Sequence, residues 1–225
     1  MEYENFDQIT GTYAFLTDKE AGKWFAKVDY YLRSGTHIQR EFPTPAGIYK
    51  FLDKNYESLK EYYADLFEMI LCKAGSDWQS YFYIDFLEGS RGKLPTDNQY
   101  RYYLKTEFIL IGLIFFKLYK IDGNIDLLRI SEFVDRLYTE YDELYQKLQR
   151  LVTSLNHDGG SDLNDDRLNQ TVIKAFEEFE ALGWVSRDPA DKDLFTYQPS
   201  FERLRRLYYP QLENLDELLK NKGHD

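Results

Sequence analysis

The strongest apolar pattern in the chain lies between Phe108 and Phe116, where Gly112 is the only residue without an apolar side chain. A helix that is apolar on every side must be covered on every side. The run is much shorter than the ~20 apolar residues that a membrane-spanning helix requires. The pattern therefore predicts a helix over about 99–119 that is buried at the centre of a domain or of a dimer.

Upstream of this run, apolar residues recur at helical spacing over 18–32. A short segment at 37–42 comes next. Pro43 and Pro45 then open a second, longer helix, which is predicted to reach Leu66. Two β-like runs, 69–72 and 81–86, flank a Gly-containing turn and predict a hairpin. Because residues 87–97 are rich in Gly, Pro and polar side chains, they predict a linker. Helices followed by a hairpin indicate a winged helix, which we assign to residues 1–90.

The second half of the chain repeats this order of elements. An amphipathic helix is predicted over 130–137, and its apolar positions continue at steps of three and four to residue 155. This spacing is typical of a seam that packs on another helix, within the chain or across a dimer. The residues predicted to pack in the core or at a dimer contact are Phe108, Ile111, Phe115, Tyr141, Tyr145 and Leu148.

A loop at 157–166 precedes a further predicted helix over 167–182, and Gly183 suits the position just after its end. The runs 184–187 and 194–197 then flank the turn DPADKD and predict a second hairpin. The predicted fold class is mainly α with small β-hairpin wings (α+β), as two tandem winged-helix domains. The second domain is assigned to residues 91–225 and includes a C-terminal helical extension.

Charge and cysteine content narrow the possible functions. The formal net charge of −11 is the wrong overall sign for a protein that coats nucleic acid, so DNA contact would need a local basic patch. The single cysteine, Cys72, excludes an intramolecular disulfide and fits a reducing cytoplasm. The acidic start MEYENFD has no basic region or apolar core of a signal peptide, so a cytoplasmic protein is expected.

Motifs for catalysis and for cofactors are absent from the sequence. It has no GxxxxGK[ST] phosphate-binding loop and no GxSxG nucleophile motif. Its three histidines are far apart, and one cysteine leaves no zinc pattern. Neither a cofactor nor a metal nor enzyme activity is expected. The acidic pairs at 165–166 and 177–178 are interpreted as solvated helix faces, with a metal or acid–base role as the alternative.

A winged helix that contacts DNA places its third helix in the major groove and its wing on the adjacent backbone. Glu177, Glu178 and Glu180 would repel a duplex along this helix, which restricts contact to its N-terminal end and the preceding loop. The alternative is a solvated helix in a protein-binding winged helix. The candidates for phosphate contact without sequence readout are Arg167, Asn169, Gln170 and Lys174 on the helix, and Arg187 and Lys192 on the wing.

The segment YLRSGTHI at 31–38 resembles the MukE and MksE family, the tandem winged-helix "kite" subunits of bacterial SMC–kleisin complexes. The order and spacing of further similar segments, together covering most of residues 20–187, carry this resemblance. These segments are YESLKEYYADLF, YFYIDF, ILIGLIFFKLY, ISEFVDRLY and RLNQTVIKAFEEFEALGWV.

The resemblance implies a non-catalytic homodimer that binds a MukF- or MksF-like kleisin and, through it, an SMC-type ATPase. It also implies auxiliary, non-specific DNA contact, which by position falls on the His157 loop, Arg167, Asn169 and Lys174. Such a subunit is nucleoid-associated and has no membrane role, and it serves either chromosome segregation or defence against plasmids. The alternative function is that of an independent winged-helix transcription regulator, which would need a basic recognition face.

Overall fold

The protein divides into two compact units, Met1–Tyr102 and Tyr103–Asp225. Each unit combines α-helices with one small antiparallel sheet, which confirms the predicted mainly α class with β-hairpins. The computed structural model describes residues 13–40, 45–93, 104–155, 165–213 and 215.

Among its described residues, the N-terminal unit has three α-helices and a three-stranded sheet. The sheet has the strand order β1-β3-β2, in which the predicted hairpin pairs Met69 with Phe86 and Ala74 with Tyr81. The short first strand pairs on the other side of β3 and forms where the sequence predicted only a short segment. In chain order the elements are α1 (Ala21–Arg33), β1 (Ile38–Gln39), α2 (Ala46–Lys54), α3 (Tyr56–Phe67), β2 (Met69–Ala74) and β3 (Tyr81–Phe86).

The single long helix predicted before the first hairpin is wrong, because the chain forms two helices, α2 and α3, with Asn55 between them. The Asn55 backbone has a ψ of 18°, and its side-chain amide donates hydrogen bonds to Asp18 Oδ2 at 2.9 Å and to Phe51 O at 3.0 Å. An asparagine side chain that bonds to the backbone competes with continued helix. Pro43, which was predicted to help open this helix, lies outside the described residues.

The C-terminal unit contains six helices and a two-stranded sheet within the part of the chain that the structure describes. Val185 pairs with Tyr197 and Arg187 with Phe195, so the second predicted hairpin is also present. The elements are α4 (Thr106–Phe116), α5 (Ile130–Glu140), α6 (Asp142–Leu155), α7 (Asp165–Ala181), β4 (Val185–Arg187), β5 (Phe195–Tyr197), α8 (Glu202–Leu207) and α9 (Tyr209–Glu213).

Helix α4 lies at the centre of the C-terminal unit. Every residue from Leu110 to Phe116 is buried, and the side chains that cover them come from the same unit. The helix begins at Thr106, later than predicted, and continues into a π-helical turn that ends before Gly123. The ring of Phe115 lies with its centroid 5.2 to 6.5 Å from those of Tyr119, Phe133, Phe176, Phe195, Tyr197 and Phe201.

Helix α7 packs on this core with the face that the sequence indicated. It begins at Asp165 and ends before Gly183, whose φ of 73° lies in the left-handed region that favours glycine. The predicted inward positions are all buried, namely Leu168, Val172, Ala175, Phe176 and Phe179. The opposite face of α7 is therefore the one that it presents to solvent.

Candidate nucleic-acid interface

The N-terminal half of α7 presents a basic and polar face. Gln170 and Lys174 are exposed, and Arg167 and Asn169 are partly exposed. Arg167, Gln170 and Lys174 follow at steps of three and four, which places them on one side of the helix. Among the described residues, no carboxylate lies within ion-pair distance of Arg167 or Lys174. Both cations can therefore meet an external anion.

Arg187 on β4 occupies a different environment from the exposed phosphate contact that the sequence predicted. Its side chain is only 5 % exposed, and its Nη1 atom lies 3.6 Å from Glu177 Oε1 and 4.0 Å from Glu180 Oε2. Its Nε atom donates a hydrogen bond to the carbonyl oxygen of Lys192 at 2.7 Å. The guanidinium therefore joins the hairpin to α7, and we leave Arg187 out of the candidate DNA-contact set.

Lys192 is exposed but also has an acidic partner. Its Nζ atom lies 3.6 Å from Glu180 Oε1. The cations of the hairpin are thus matched by the glutamates in the C-terminal half of α7. An exposed ion pair of this kind is weak. Lys192 can therefore leave Glu180 and bind a phosphate at a small cost in free energy.

The tip of the β4–β5 hairpin is bonded to the start of α5. Arg129 donates from Nη1 to Asp193 at 3.1 Å and from Nη2 to Asp191 at 2.9 Å, while Ser131 Oγ donates to Asp193 at 2.7 Å. The hydrogen bonds that Arg129 donates to Asp193 and Asp191 raise the pKa of its guanidinium. Burial acts to raise the pKa of Asp193, but the bonds from Ser131 and Arg129 outweigh it and lower the pKa. The hairpin is therefore held within its own unit.

The predicted core or dimer-contact residues pack in the core of the C-terminal unit. Tyr141 is partly exposed and donates to Asp122 Oδ2 at 2.8 Å. Tyr145 donates to Asp165 Oδ1 at 2.7 Å, and burial raises the pKa of its hydroxyl. The remaining positions are buried within the unit: Phe108, Ile111, Phe115 and Leu148.

The other candidates are placed as follows. His157 and most of its loop lie outside the described residues. Within the described ranges, no group of three or more His, Cys, Asp or Glu side chains is arranged to hold a metal ion. Helix α8 also has three arginines, Arg203, Arg205 and Arg206. Arg205 Nε donates to Glu202 Oε2 at 2.9 Å, so Arg205 pairs with a carboxylate of its own helix.

Comparison with known families supplies the context for this geometry. A family model described as condensin complex protein MksE matches residues 23–208, which is most of the chain. The chain belongs to the MksE family. This match confirms the resemblance to MukE and MksE proteins that the sequence segments indicated. A search among curated proteins finds no match to the chain.

The MksE family consists of accessory subunits of a condensin complex and is not a catalytic family. None of the helices in the part of this MksE chain that the structure describes has the length and apolar character needed to cross a membrane.

Sequence reasoning missed one group of cations in this MksE chain. Lys19, Lys23 and Lys27 occur at steps of four around the start of α1, and all three are exposed. The four-residue spacing was a visible signal for a shared helix face. The sequence prediction placed DNA contacts only on the third helix of the second domain, the loop before it and the wing, and α1 belongs to the first domain.

Proposed function

We propose that this chain is the non-catalytic accessory (kite) subunit of a bacterial condensin-like SMC complex. It acts as a homodimer, binds the kleisin subunit, and helps hold DNA near the ATPase heads at the nucleoid. The complex serves chromosome organisation and segregation or defence against plasmids. The observation that carries this proposal is the MksE family match over residues 23–208, which includes elements of both units.

Each unit is proposed to be a winged helix. In the N-terminal unit, the order helix, strand, helix, helix, hairpin and the strand order β1-β3-β2 support this assignment. In the C-terminal unit, Arg129 forms an isolated antiparallel bridge with Leu194 beside the β4–β5 hairpin. This bridge precedes α5, and it would take the place that β1 has in the first unit.

The DNA contact proposed for the C-terminal unit is the face formed by Arg167, Gln170 and Lys174, with Asn169 beside it. The charges on this face bind phosphate rather than base edges, so the contact is independent of sequence. The wing adds at most Lys192, since Arg187 is enclosed by Glu177 and Glu180. The contact is therefore small, as expected for an auxiliary role in a chain of net charge −11.

The subunit role is tested by mixing the purified chain with the kleisin from the same genome and measuring the mass of the complex by light scattering. We expect a stable complex that holds two copies of this chain. If the chain ignores the kleisin but retards one particular promoter fragment, the proposal is overturned in favour of a transcription regulator.

The DNA contact on α7 is tested with the double variant Arg167→Glu and Lys174→Glu. Removing two phosphate contacts should reduce the slope of log Kobs against log[salt] by about 1.8 for all sequences alike. The matched control is Lys105→Glu with Lys120→Glu, two exposed lysines of the same unit whose ammonium groups lie over aromatic rings. An unchanged slope in the α7 variant would remove this contact from the proposal.

A further inference from the structure

Helix α1 of the N-terminal unit exposes a face of lysines and small residues. Lys23 and Lys27 are exposed one helical turn apart, and Lys19 is exposed in the turn that leads into the helix. Gly22 and Ala26 lie beside these lysines and are also exposed. We call Lys19, Lys23 and Lys27, with Gly22 and Ala26, the α1 lysine face.

The lysines of this face have no acidic partner among the described residues. The acidic side chains near them are engaged elsewhere. Asp18 Oδ2 lies 2.9 Å from Lys54 Nζ and accepts a hydrogen bond from Asn55, and Glu20 Oε2 accepts one from the indole of Trp24 at 3.0 Å. Within the described part of the chain, whose full sequence has a net charge of −11, the face therefore carries positive charge that no carboxylate neutralises.

Trp24 holds two of these cations in place. The Nζ atoms of Lys23 and Lys27 lie 4.6 and 5.2 Å from the centroid of its indole ring. The indole packs so closely on Gly47 that a Cβ atom there would lie 2.2 Å from Trp24. Lys23 and Lys27 thus have a structural contact with Trp24, whereas Lys19 contacts no aromatic ring among the described residues.

Gly22 has no explanation in the packing of the unit. A Cβ atom added at this position would meet nothing within 4 Å among the described residues, and its φ is not in the left-handed region. Glycine in a helix lowers stability relative to alanine, so a glycine without a packing reason is unexpected there. Gly22 and Ala26 are small residues, so a macromolecule can approach the helix backbone closely between the lysines.

We propose that the α1 lysine face is a second contact for the phosphate backbone of duplex DNA, on a different unit from the α7 contact. Lysine binds phosphate as a point charge and reads no sequence. A protein ligand is less well matched, since protein interfaces are anchored by side chains that fill apolar pockets. Apart from Tyr30 at its end, this face has no large apolar side chain. The choice of DNA as the polyanion rests on the proposed function.

The test uses the full chain and a labelled, mixed-sequence DNA duplex, with binding measured by fluorescence anisotropy across a series of salt concentrations. The variant is Lys19→Gln, Lys23→Gln and Lys27→Gln, and glutamine has nearly the same helix propensity as lysine. We expect the slope of log Kobs against log[salt] to fall by about 2.7, because three phosphate contacts are lost, and the affinity at moderate salt to fall by more than about tenfold.

The matched control changes three other exposed lysines of the same unit, Lys60, Lys73 and Lys93, to glutamine. Each already has a carboxylate partner, at 4.0 Å (Glu57), 2.6 Å (Asp53) and 3.6 Å (Glu68). The change in net charge is the same, so a general charge effect would appear equally in both triple variants. We expect the control to change the DNA affinity by less than about threefold.

The outcomes separate this inference from the proposed function. If the α7 double variant weakens DNA binding and the α1 triple variant does not, the α1 contact is refuted while the subunit role stands. If the α1 variant binds DNA normally but fails to join the kleisin complex, the face is a protein contact and the inference is again refuted. Should the triple variant misfold, Lys19→Gln alone, which leaves the Trp24 contacts intact, is expected to lower the slope by about 0.9.

Discussion

The β4–β5 hairpin of the C-terminal unit and helix α1 of the N-terminal unit use their basic side chains in opposite ways. In the C-terminal unit, Arg187 and Lys192 of the hairpin are paired with glutamates of α7, and Arg129 binds the aspartates at the hairpin tip. On α1 of the N-terminal unit, the nearby carboxylates bind other partners, and Lys23 and its neighbours have no acidic partner among the described residues. Basic residues that look alike in a sequence are thus paired on the hairpin and open to a partner on α1.

The first long helix of each unit shows the same contrast in its glycine. Gly112 of α4 faces packed side chains, since a Cβ atom there would lie 2.6 Å from Leu204 and 3.1 Å from Phe179. Gly22 of α1 faces open space among the described residues. Helix α4 is buried and has a structural role, whereas α1 has an exposed lysine face that a partner can contact. The predictions below test this contrast.

The largest effect is expected for Arg187→Ala. The substitution removes a buried guanidinium, its hydrogen bond to Lys192 and its ion pairs with Glu177 and Glu180. Loss of the packed guanidinium, its hydrogen bond and its ion pairs should cost about 3 kcal/mol of unfolding free energy, which urea denaturation can measure. Glu177 and Glu180 stay partly exposed, so the variant leaves no buried charge unpaired. Lys192→Ala, which removes an exposed partner of Glu180, should cost less than about 0.5 kcal/mol.

The comparison of these two variants decides whether the hairpin cations are structural. Equal and small losses for Arg187→Ala and Lys192→Ala would show that Arg187 is exposed in solution. In that case Arg187 would return to the DNA-contact set, and the contrast between the units would fail. Both variants should be compared at the same salt concentration, because exposed ion pairs are screened by salt.

An intermediate effect is expected for Gly112→Ala, which should lower the unfolding free energy by about 1–3 kcal/mol. The added methyl group overpacks the core at Leu204 and Phe179, and such a core relaxes only by moving side chains or backbone. Gly22→Ala should instead leave stability unchanged or raise it by up to about 1 kcal/mol, since alanine is the better helix former and the space is open. A destabilised Gly22→Ala would mean that the position is packed after all.

Structural features that depend on a local sequence pattern could be predicted from the sequence. The apolar run at α4, the inward face of α7 and both hairpins were predicted because each has a clear period or turn signal. The break at Asn55 was missed because apolar spacing continues across it. The Asn55 side-chain amide bonds to the Phe51 carbonyl and also to Asp18, and the second partner is far away in sequence. Arg187 was misplaced for a similar reason, since its pairing with Glu177 depends on the tertiary fold.

The smallest effect concerns acid stability in the two units. Hydrogen bonds from Asn55, the Glu20 backbone and Lys54 hold the pKa of Asp18 well below its ordinary value, and the pKa of Asp193 is also lowered. An unfolded aspartate titrates near a pKa of about 3.9, so the unfolded chain binds more protons than the folded chain just below that pH. The stabilisation from both carboxylates is therefore present above about pH 4 and is lost as the pH falls through their folded-state pKa values.

The variants Asp18→Asn and Asp193→Asn test this loss. Each should lower the urea midpoint near neutral pH and have little effect in strong acid, because a protonated aspartate is uncharged like asparagine. The two effects should add, since the residues belong to different units and share no partner. If Asp18→Asn leaves the acid dependence of stability unchanged, then Asp18 is not committed to Lys54 and Asn55. It could then neutralise the α1 lysines, and the charge contrast between the units would be lost.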